Sequence, residues 1–593
     1  MKGKCEKILV CAGTGCTSGK SLDIIKKLEA ELEKQGVTGV KVSRTGCFGL
    51  CSAGPIVVTK PDNCFYTKVS PDDAYQIIAE HIVGGKQVER LMVKNSNGAP
   101  MSLFDMQFYN KQQRIVMARC GVIDPEDIDS YIATDGYKAL EKALKEMSAE
   151  QIVETIKKSG LRGRGGAGFP TGEKWASVKS AAGGKKYVIC NGDEGDPGAF
   201  MDRSLMEGDP HAILEGMIIA GAAVGADEGY IYVRAEYPLA VERLEIAIDQ
   251  ATKKGMLGEN IMGSGFNFKI SVNKGAGAFV CGEGSALQES IEGKRGIPRV
   301  KPPRSAEKGL FGKPTLINNV ETFVNVGPII IKGADWFFSI GTAGSKGTKV
   351  FAVGGNVNNI GLVEVPMGIT LREIIFDICE GIPDGKVLKA VQTGGPSGGC
   401  IPTQYLDTPI DFESFEAVGS MMGSGGLIVM DDSKCMVGIA RFFMEFMVEE
   451  SCGKCAPCRI GLVRMQEILD KICEGKGTMA CLNELEELAE MTAELSFCGL
   501  GKSAPNPVRT TLKYFREEYL EHINNNRCPA GECKELLSYE ITDSCIGCGK
   551  CKKVCPVTAI SGELKAIHSI ARKICIKCGV CADNCPKASI IQV

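Results

Sequence analysis

Apolar residues recur with a strand-like period of two in some stretches and a helical period in others, and the changes of period divide the chain. Lys7–Cys11 reads as a short strand, Ser21–Gln35 as an amphipathic helix, and Val40–Ser43 and Ile56–Thr59 as further strands. A charged linker follows around Arg90 to Pro100, and residues 100–430 form a long glycine-rich α/β stretch. From 436 to 523 the pattern turns helical, with periodic runs at Ile460–Cys473, Leu482–Leu495 and Asn506–Ile523. The most apolar run, Ala212–Ala226, is short and carries Glu215, so it is not expected to span a bilayer.

At 593 residues the chain calls for several domains rather than one core. Its 69 Lys+Arg against 72 Asp+Glu give a net charge of −3, which argues against nucleic acid or an anionic membrane as the main partner. No charged-apolar-small export signal opens the sequence, so a cytoplasmic, reducing location is expected. There, 28 cysteines read as metal ligands rather than disulfides.

The cysteine spacing is the sharpest chemical signal. Cys545, Cys548, Cys551 and Cys555 precede Pro556, and Cys575, Cys578, Cys581 and Cys585 precede Pro586. This doubled C-x2-C-x2-C-x3-C-P run is the spacing that holds paired [4Fe–4S] clusters, each fourth cysteine reaching across to the other cluster. It assigns Cys545, Cys548, Cys551 and Cys585 to one cube, and Cys555, Cys575, Cys578 and Cys581 to the other. Cys452, Cys455 and Cys458, with Cys498 as a distant fourth, suit a further [4Fe–4S] cluster. Cys11 and Cys16, then Cys47 and Cys51, form two separated pairs in loops after strands. Four such thiolates suit a [2Fe–2S] cluster, and zinc takes four thiolates as well. His522, Cys528 and Cys533 lack only a fourth ligand for a structural zinc site, which Cys473 or Cys481 is expected to supply. Cys5, Cys64, Cys120, Cys190, Cys281, Cys379, Cys400 and Cys435 have no cluster spacing and read as small buried apolar residues.

Between these sites lie glycine loops. Gly163, Gly165 and Gly168 formally satisfy G-x-G-x-x-G, but Ala149–Lys158 before them reads as helical, which excludes an ordinary dinucleotide fingerprint. Bare backbone N–H groups there still suit a phosphate, with Arg164 and Lys174 to neutralise it. Val188–Gly198 places Asn191, Asp193, Glu194 and Asp196 at a strand's end, and Gly275–Gly284 is a second glycine loop that leads into a helix.

These segments, with Asn318-Asn319-Val320-Glu321-Thr322, resemble the FMN- and NADH-binding subunit of the respiratory NADH dehydrogenase family over roughly residues 110–515. The resemblance implies that Gly163, Arg164, Gly165, Lys174, Asn191, Asp193, Gly282, Glu283, Asn318 and Asn319 surround FMN. It also implies that Phe169, Glu194, Asp196 and Lys301 face NAD(H) or NADP(H). The strand–helix–strand start resembles the thioredoxin-like [2Fe–2S] ferredoxins of such complexes. The full combination resembles the beta subunits of NAD(P)H-dependent, electron-bifurcating [FeFe]-hydrogenases of anaerobes. By that likeness the protein is a multidomain α/β and α+β flavin diaphorase. Its domains would be thioredoxin-like [2Fe–2S] (1–92), FMN/NAD(P)H-binding (100–345), β-grasp-like (346–432), helical-bundle [4Fe–4S] (433–525), and a zinc-linked, ferredoxin-like 2[4Fe–4S] tail (526–593).

The implied partners are a catalytic hydrogenase subunit, a small thioredoxin-like [2Fe–2S] subunit and soluble ferredoxin, in a hetero-oligomer without membrane or nucleic acid. The diaphorase of an NAD-dependent formate dehydrogenase or an NADH dehydrogenase-type complex shares the architecture, and a non-catalytic electron relay is the competing class. Two departures from the respiratory pattern stand out. Gly284 replaces a second Glu, and Arg304 takes the place of an aromatic, where it can stack on adenine or grip a 2′-phosphate.

Overall fold

The computed structural model describes residues 5–95, 97–572 and 574–592. Residues 1–4 of the expected first domain, Ser96 of the linker, and Lys573 and Val593 of the tail lie outside these. The chain packs as two compact units, residues 1–386 with 390–429, and residues 387–389 with 430–593.

The first unit opens with a four-stranded sheet in the order β2-β1-β3-β4, formed by β1 (Lys7–Cys11), β2 (Lys41–Thr45), β3 (Val57–Lys60) and β4 (Phe65–Tyr66). β1 and β2 run parallel, so the chain needs a crossover, and helix Ser21–Lys34 provides it. β3 and β4 return antiparallel, completing a β-α-β-β arrangement of thioredoxin type. Ile24, Leu28 and Leu32 of the crossover helix share one core with Ile8, Val10 and Val57. Burying each such side chain stabilises the fold by about 1.5–3 kcal/mol.

A second sheet is wholly parallel, in the order β7-β6-β5-β8, from β5 (Tyr187–Gly192), β6 (Glu228–Arg234), β7 (Lys269–Gly275) and β8 (Thr315–Asn319). Central β5 is buried on both faces along Tyr187–Cys190, which is why it reads as an unbroken apolar run rather than an alternating one. The apolar run at 212–226 lies mainly in the core helix Pro210–Val224, buried at every position but Ala222. Its Glu215 is held by hydrogen bonds donated by Tyr131 Oη (2.5 Å), Tyr137 N (3.1 Å) and Leu140 N (2.9 Å). Gly225 ends the helix in the left-handed conformation at φ 77°.

A third, five-stranded sheet has the order β10-β9-β13-β11-β12, with β9 (Thr348–Gly355), β10 (Gly361–Pro366), β11 (Leu388–Thr393), β12 (Gly399–Pro402) and β13 (Gly426–Asp431). Two antiparallel hairpins flank β13, which runs parallel to β9.

The second unit is helical, then clustered. Helices Met436–Glu449, Ala456–Cys473 and Met479–Leu495 are followed by Asn506–Tyr514 and Arg516–Asn524. The run Asn506–Ile523, expected as one helix, breaks at Phe515 (φ −130°, ψ 31°). Neither Pro nor Gly causes the break. It accompanies a tertiary hydrogen bond between Thr511 Oγ1 and Tyr519 Oη (2.8 Å), a packing demand that periodicity does not register. The tail pairs β14 (Tyr539–Ile541) with β17 (Ile590–Gln592), and β15 (Ile560–Ser561) with β16 (Ser569–Ile570). Among the described residues no helix is long and apolar enough to cross a membrane.

Candidate functional site

From β5 the chain runs outward through β6 to β7 and then crosses back to β8 on the other side of β5. The strand order thus reverses at β5 and a crevice opens at the carboxyl ends there, as in parallel sheets at a switch point. Asn191 at the end of β5 stands in register with Asn319 at the end of β8. A cavity of about 520 Å³ occupies this crevice, and Gly163, Gly165, Phe169, Lys174, Asn191, Gly282, Glu283, Lys301, Arg304, Asn318 and Asn319 all line it. Ser177, Gly284, Ser285 and Ile317 line it too. Ser177, Ser285 and Ile317 do not stand out in the sequence, because isolated small or apolar residues carry no motif.

The glycine loop sits between helix Ala149–Lys158 and helix Thr171–Ser180, which explains why no strand precedes it. A Cβ on Gly165 would stand 3.0 Å from Asn319 Cβ, so glycine is needed for the close approach of loop and strand end. Asn191 Nδ2 donates to Gly282 O (2.9 Å) and thereby ties the second glycine loop to β5. Asn319 Nδ2 donates to Asp202 Oδ2 (2.5 Å). Lys174 Nζ donates to Ile317 O (2.8 Å), and burial pulls its pKa down to about 8. That ammonium is held ready for an anion at little cost in reorganisation.

Glu283 caps helix Gly284–Ile291, accepting from Ser285 N (2.9 Å) and Ala286 N (3.0 Å), while Lys301 Nζ lies 2.6 Å from its other oxygen. Burial raises its pKa, but hydrogen bonds from Lys301 and Ser285 more than offset this, and Glu283 titrates below the ordinary carboxylate range. Arg304 lines the same cavity, and its guanidinium has no ion-pair partner among the described residues.

Four expected contacts are placed elsewhere. Arg164 is buried, with its guanidinium donating to the carbonyls of Arg162 (2.9 Å), Lys346 (2.5 Å) and Thr348 (3.0 Å), so it braces the glycine loop instead of facing a phosphate. Asp193 turns beneath Gly282, with Oδ1 3.8 Å from Arg234. Glu194 accepts from Asp202 N (3.0 Å) and Arg203 N (3.1 Å), satisfying the first turn of helix Met201–Gly208. Asp196 accepts a hydrogen bond from Ser424. In each case another polar group competes for the side chain (carbonyls for Arg164, Arg234 for Asp193, backbone N–H groups for Glu194, a hydroxyl for Asp196), and spacing alone does not reveal the winner.

Burial raises Glu194 to about 7 and Asp196 to about 6. Unfolded, both titrate near 4. The folded protein therefore binds more protons in between, and this contribution to stability is complete below about pH 4 and lost as pH rises through 6 to 7. The thermal midpoint of the flavin-free protein is expected to fall between pH 5 and 8, with a shallower slope in Glu194→Gln. Equal slopes in both proteins would exclude this origin.

The cysteines gather in separate sets. Cys11, Cys16, Cys47 and Cys51 line one cavity of about 310 Å³. Hydrogen bonds from Cys11 and Cys51, and from Gly49 N (3.3 Å), hold Cys47 well below the ordinary thiol range, as a thiolate ligand requires. Cys452, Cys455 and Cys498 lie close enough to Cys458 to raise its thiol electrostatically, and with burial as the larger cause it is pushed up to about 11. In the tail, Cys545, Cys548, Cys551 and Cys585 line one small cavity, and Cys555, Cys575, Cys578 and Cys581 line another.

The last set corrects the sequence reading. Cys435, His522, Cys528 and Cys533 are all buried, with their ligand atoms within 4.8 Å of one another. His522 Nδ1 bonds Glu518 O (2.7 Å), which leaves Nε2 3.4 Å from both Cys435 Sγ and Cys533 Sγ. Cys481 instead accepts from Thr478 Oγ1 (3.3 Å), and Cys473 adjoins Cys533 without belonging to the quartet. Cys435, expected as a packing cysteine, thus joins this buried cluster of donor atoms. It stands 87 residues before His522, at the cap of helix Met436–Glu449, where no spacing signal reaches.

The Nuo51 FMN-binding domain family matches residues 156–328, the NADH-ubiquinone oxidoreductase-F iron–sulfur binding region 438–522, and the 4Fe–4S dicluster domain 544–591. The chain is 56% identical to NADP-reducing hydrogenase subunit HndC of Solidesulfovibrio fructosivorans over 77% of this chain and 93% of that protein. It is 47% identical to an NADH-quinone oxidoreductase subunit of Rhizobium meliloti over 70% of this chain and 99% of that one. Among solved structures, an NAD+-reducing [NiFe]-hydrogenase in the H2-reduced state is similar at TM-score 0.62 and 31% identity, covering 87% of this chain and 84% of that one.

Proposed function

We infer the function from one premise: the chain belongs to the Nuo51 FMN-binding family of flavoproteins that also carry iron–sulfur domains. On that premise it is an NAD(P)H-dependent FMN and iron–sulfur oxidoreductase that serves as the diaphorase subunit of a hydrogenase complex. The observation that carries the reading is the crevice at the ends of β5 and β8, where two glycine loops, Lys174 and the Asn191/Asn319 pair converge on one cavity.

The residues suit the cofactors. Backbone N–H groups of the Gly163–Gly168 loop and the Lys174 ammonium fit a phosphate, while Asn191, Asn318 and Asn319 offer amides to a polar ring edge. FMN bound there would accept a hydride from NAD(P)H and pass its electrons on singly. Phe169 offers a ring face at the mouth, Arg304 a planar cation for the nucleotide, and Glu283, held by Lys301, a fixed negative charge. Arg304→Ala is expected to raise the nucleotide KM about tenfold with little change in kcat, since a charge-assisted contact is worth about 1.5–3 kcal/mol.

The Cys11/Cys16/Cys47/Cys51 set is proposed to hold a [2Fe–2S] cluster, and the Cys452/Cys455/Cys458/Cys498 set and the two tail sets a [4Fe–4S] cluster each. The helical set and the two tail sets offer separate outlets, which supports division of electrons between a hydrogenase partner and ferredoxin. A small [2Fe–2S] subunit would complete the assembly. The buried quartet suits zinc: its 3.4 and 3.7 Å separations match the ~3.6 Å edge of a tetrahedron with metal–ligand bonds near 2.2 Å. The five-domain division is kept as part of this reading, with the β10-β9-β13-β11-β12 order supporting the β-grasp assignment.

NADH or NADPH added anaerobically to the reconstituted protein should bleach its flavin absorbance, and the protein should contain about fourteen irons, the sum of one [2Fe–2S] and three [4Fe–4S] clusters. Unbleached flavin would leave only an electron relay.

A further inference from the structure

The two cysteine sets of the tail are not equivalent. The set containing Cys578 faces back along the chain: Tyr539 lines its cavity, and Lys577 Nζ donates to Glu535 O, in the segment that joins the tail to the His522 quartet. Neither Glu535 nor Tyr539 is among the residues lining the cavity of the set containing Cys548, which include Ile541, Ile546, His568 and Lys587 beside its four cysteines. Cys548 and Cys578 are both exposed, each beside exposed apolar residues: Ile546 (52%), Leu564 (78%) and Ile567 (51%) at the first, Ile574 (55%) and Ile576 (58%) at the second. Leu564 and Lys565 sit directly over the Cys548 loop, since a Cβ on Gly549 would meet Leu564 Cδ2 at 3.6 Å and Lys565 N bonds Gly547 O at 2.9 Å.

Charge separates the two ends further. Residues 538–593 carry a net charge of +4 within a chain of net −3. Lys550, Lys552, Lys553, Lys565 and Lys587 are exposed, and among the described residues none forms an ion pair. Lys587 lines the Cys548 cavity itself. Toward the other end Arg572 is paired with Glu540, and Lys577 is held by Glu535. Lys552 Nζ donates only to a carbonyl, that of Gly562 (3.2 Å), and the exposed Asp543 and Glu563 leave this end a net positive charge. Exposed apolar residues among ammonium groups without ion pairs suit a partner with the opposite field and a small apolar contact, and steer such a partner by long-range attraction.

We propose that this basic rim around Cys548 is the docking surface for a small acidic one-electron carrier protein, and that the Cys545/Cys548/Cys551/Cys585 site is the outer of the tail's two. The proposal rests on the iron–sulfur reading of the tail given above. A cluster held by these four cysteines would supply one electron and the docked carrier, the oxidant, would gain it; no bond would form or break.

The test uses the full, anaerobically reconstituted chain in its oxidised state and measures binding of an acidic 2[4Fe–4S] ferredoxin by calorimetry at low and high salt. Reversing Lys550, Lys552 and Lys565 together to Glu is expected to weaken binding at least tenfold at low salt, with little difference left at high salt. Reversing Lys26, Lys86 and Lys94, far off in sequence, should leave it unchanged. Iron content and NAD(P)H-dependent dye reduction should match the unaltered protein and confirm that the tail variant is folded and loaded. A second acidic carrier, flavodoxin, should show the same loss, and a basic cytochrome should not bind at this rim. Unchanged ferredoxin affinity in the tail variant would overturn the proposal. So would ferredoxin binding to the isolated chain but not to the purified complex, because a permanent subunit would then own the surface. Binding to oxidised protein needs no nucleotide, so a flavin that NAD(P)H fails to bleach would count against the diaphorase reading and leave this result intact.

Discussion

On the proposed zinc reading of the Cys435/His522/Cys528/Cys533 quartet, Cys435→Ala is expected to remove zinc almost entirely, from one ion per chain to near zero, and to loosen the segment that joins the helical part to the tail. Four donors close the site, and a structural zinc site with a ligand missing binds far more weakly and admits water. Structural zinc contributes about 10–16 kcal/mol to the folding of small metal-dependent peptides, so losing much of it cannot be absorbed locally. Cys435 also anchors its surroundings through backbone: its N–H donates to Glu532 Oε2 (2.7 Å), next to Cys533 of the quartet. The contrast is Cys481→Ala, expected to keep full zinc and an unchanged urea midpoint, because that thiol meets only Thr478. Cys473→Ala should keep zinc and lose only the packing of a buried side chain, about 1–3 kcal/mol. Metal analysis of the three variants decides. If Cys435→Ala retains zinc and Cys473→Ala loses it, the fourth ligand is the one that sequence proximity suggested.

That contrast shows what was legible along the chain. Motifs closed within a few residues were visible at once: the tail's repeated triples, Cys452 to Cys458, and the glycine loop after Ala149–Lys158. Crossover helix Ser21–Lys34 and strand Lys7–Cys11 were visible because one face of each is buried and its period survives in composition. Contacts across long separations were not. Cys435 meets His522 only because two helix ends converge, and an isolated cysteine before an apolar helix looks like any packing residue. Arg164 misled for a different reason. A cation inside a glycine loop is a fair phosphate ligand, but three carbonyls within 3.0 Å claim its guanidinium, and backbone carbonyls leave no trace in a one-letter sequence. Glu194 was similarly diverted, to two orphan N–H groups of the helix that follows. The motif placed all of these residues near the crevice, and only hydrogen-bond accounting decided which of them face it.

With Arg164 turned away, Lys174 becomes the main cation for an anionic group in the glycine-loop crevice, and Lys174→Met should weaken FMN retention about 10–100-fold. A buried charge-assisted contact of this kind is worth about 1.5–3 kcal/mol. The pH dependence makes the assignment specific. Burial holds the Lys174 pKa at about 8 in the protein itself, so the charged form predominates below that value and is lost above it. A phosphate dianion alongside favours the charged form and raises the pKa, so binding above pH 8 must take up a proton. FMN affinity of the unaltered protein is therefore expected to hold steady from pH 6.5 to 7.5 and then to fall by up to tenfold per unit above pH 8. Lys174→Met has no proton to take up there, and its weaker affinity should be flat over the same range. Fluorescence titration of apoprotein with FMN, which quenches on binding, measures both curves, and riboflavin provides the control without a phosphate. Riboflavin binding equally weakened by Lys174→Met would place the ammonium at the ring rather than the phosphate. An unaltered protein whose FMN affinity ignores pH between 8 and 9.5 would mean that Lys174 does not face the ligand at all, and the crevice would then have to hold its anion through backbone N–H groups alone.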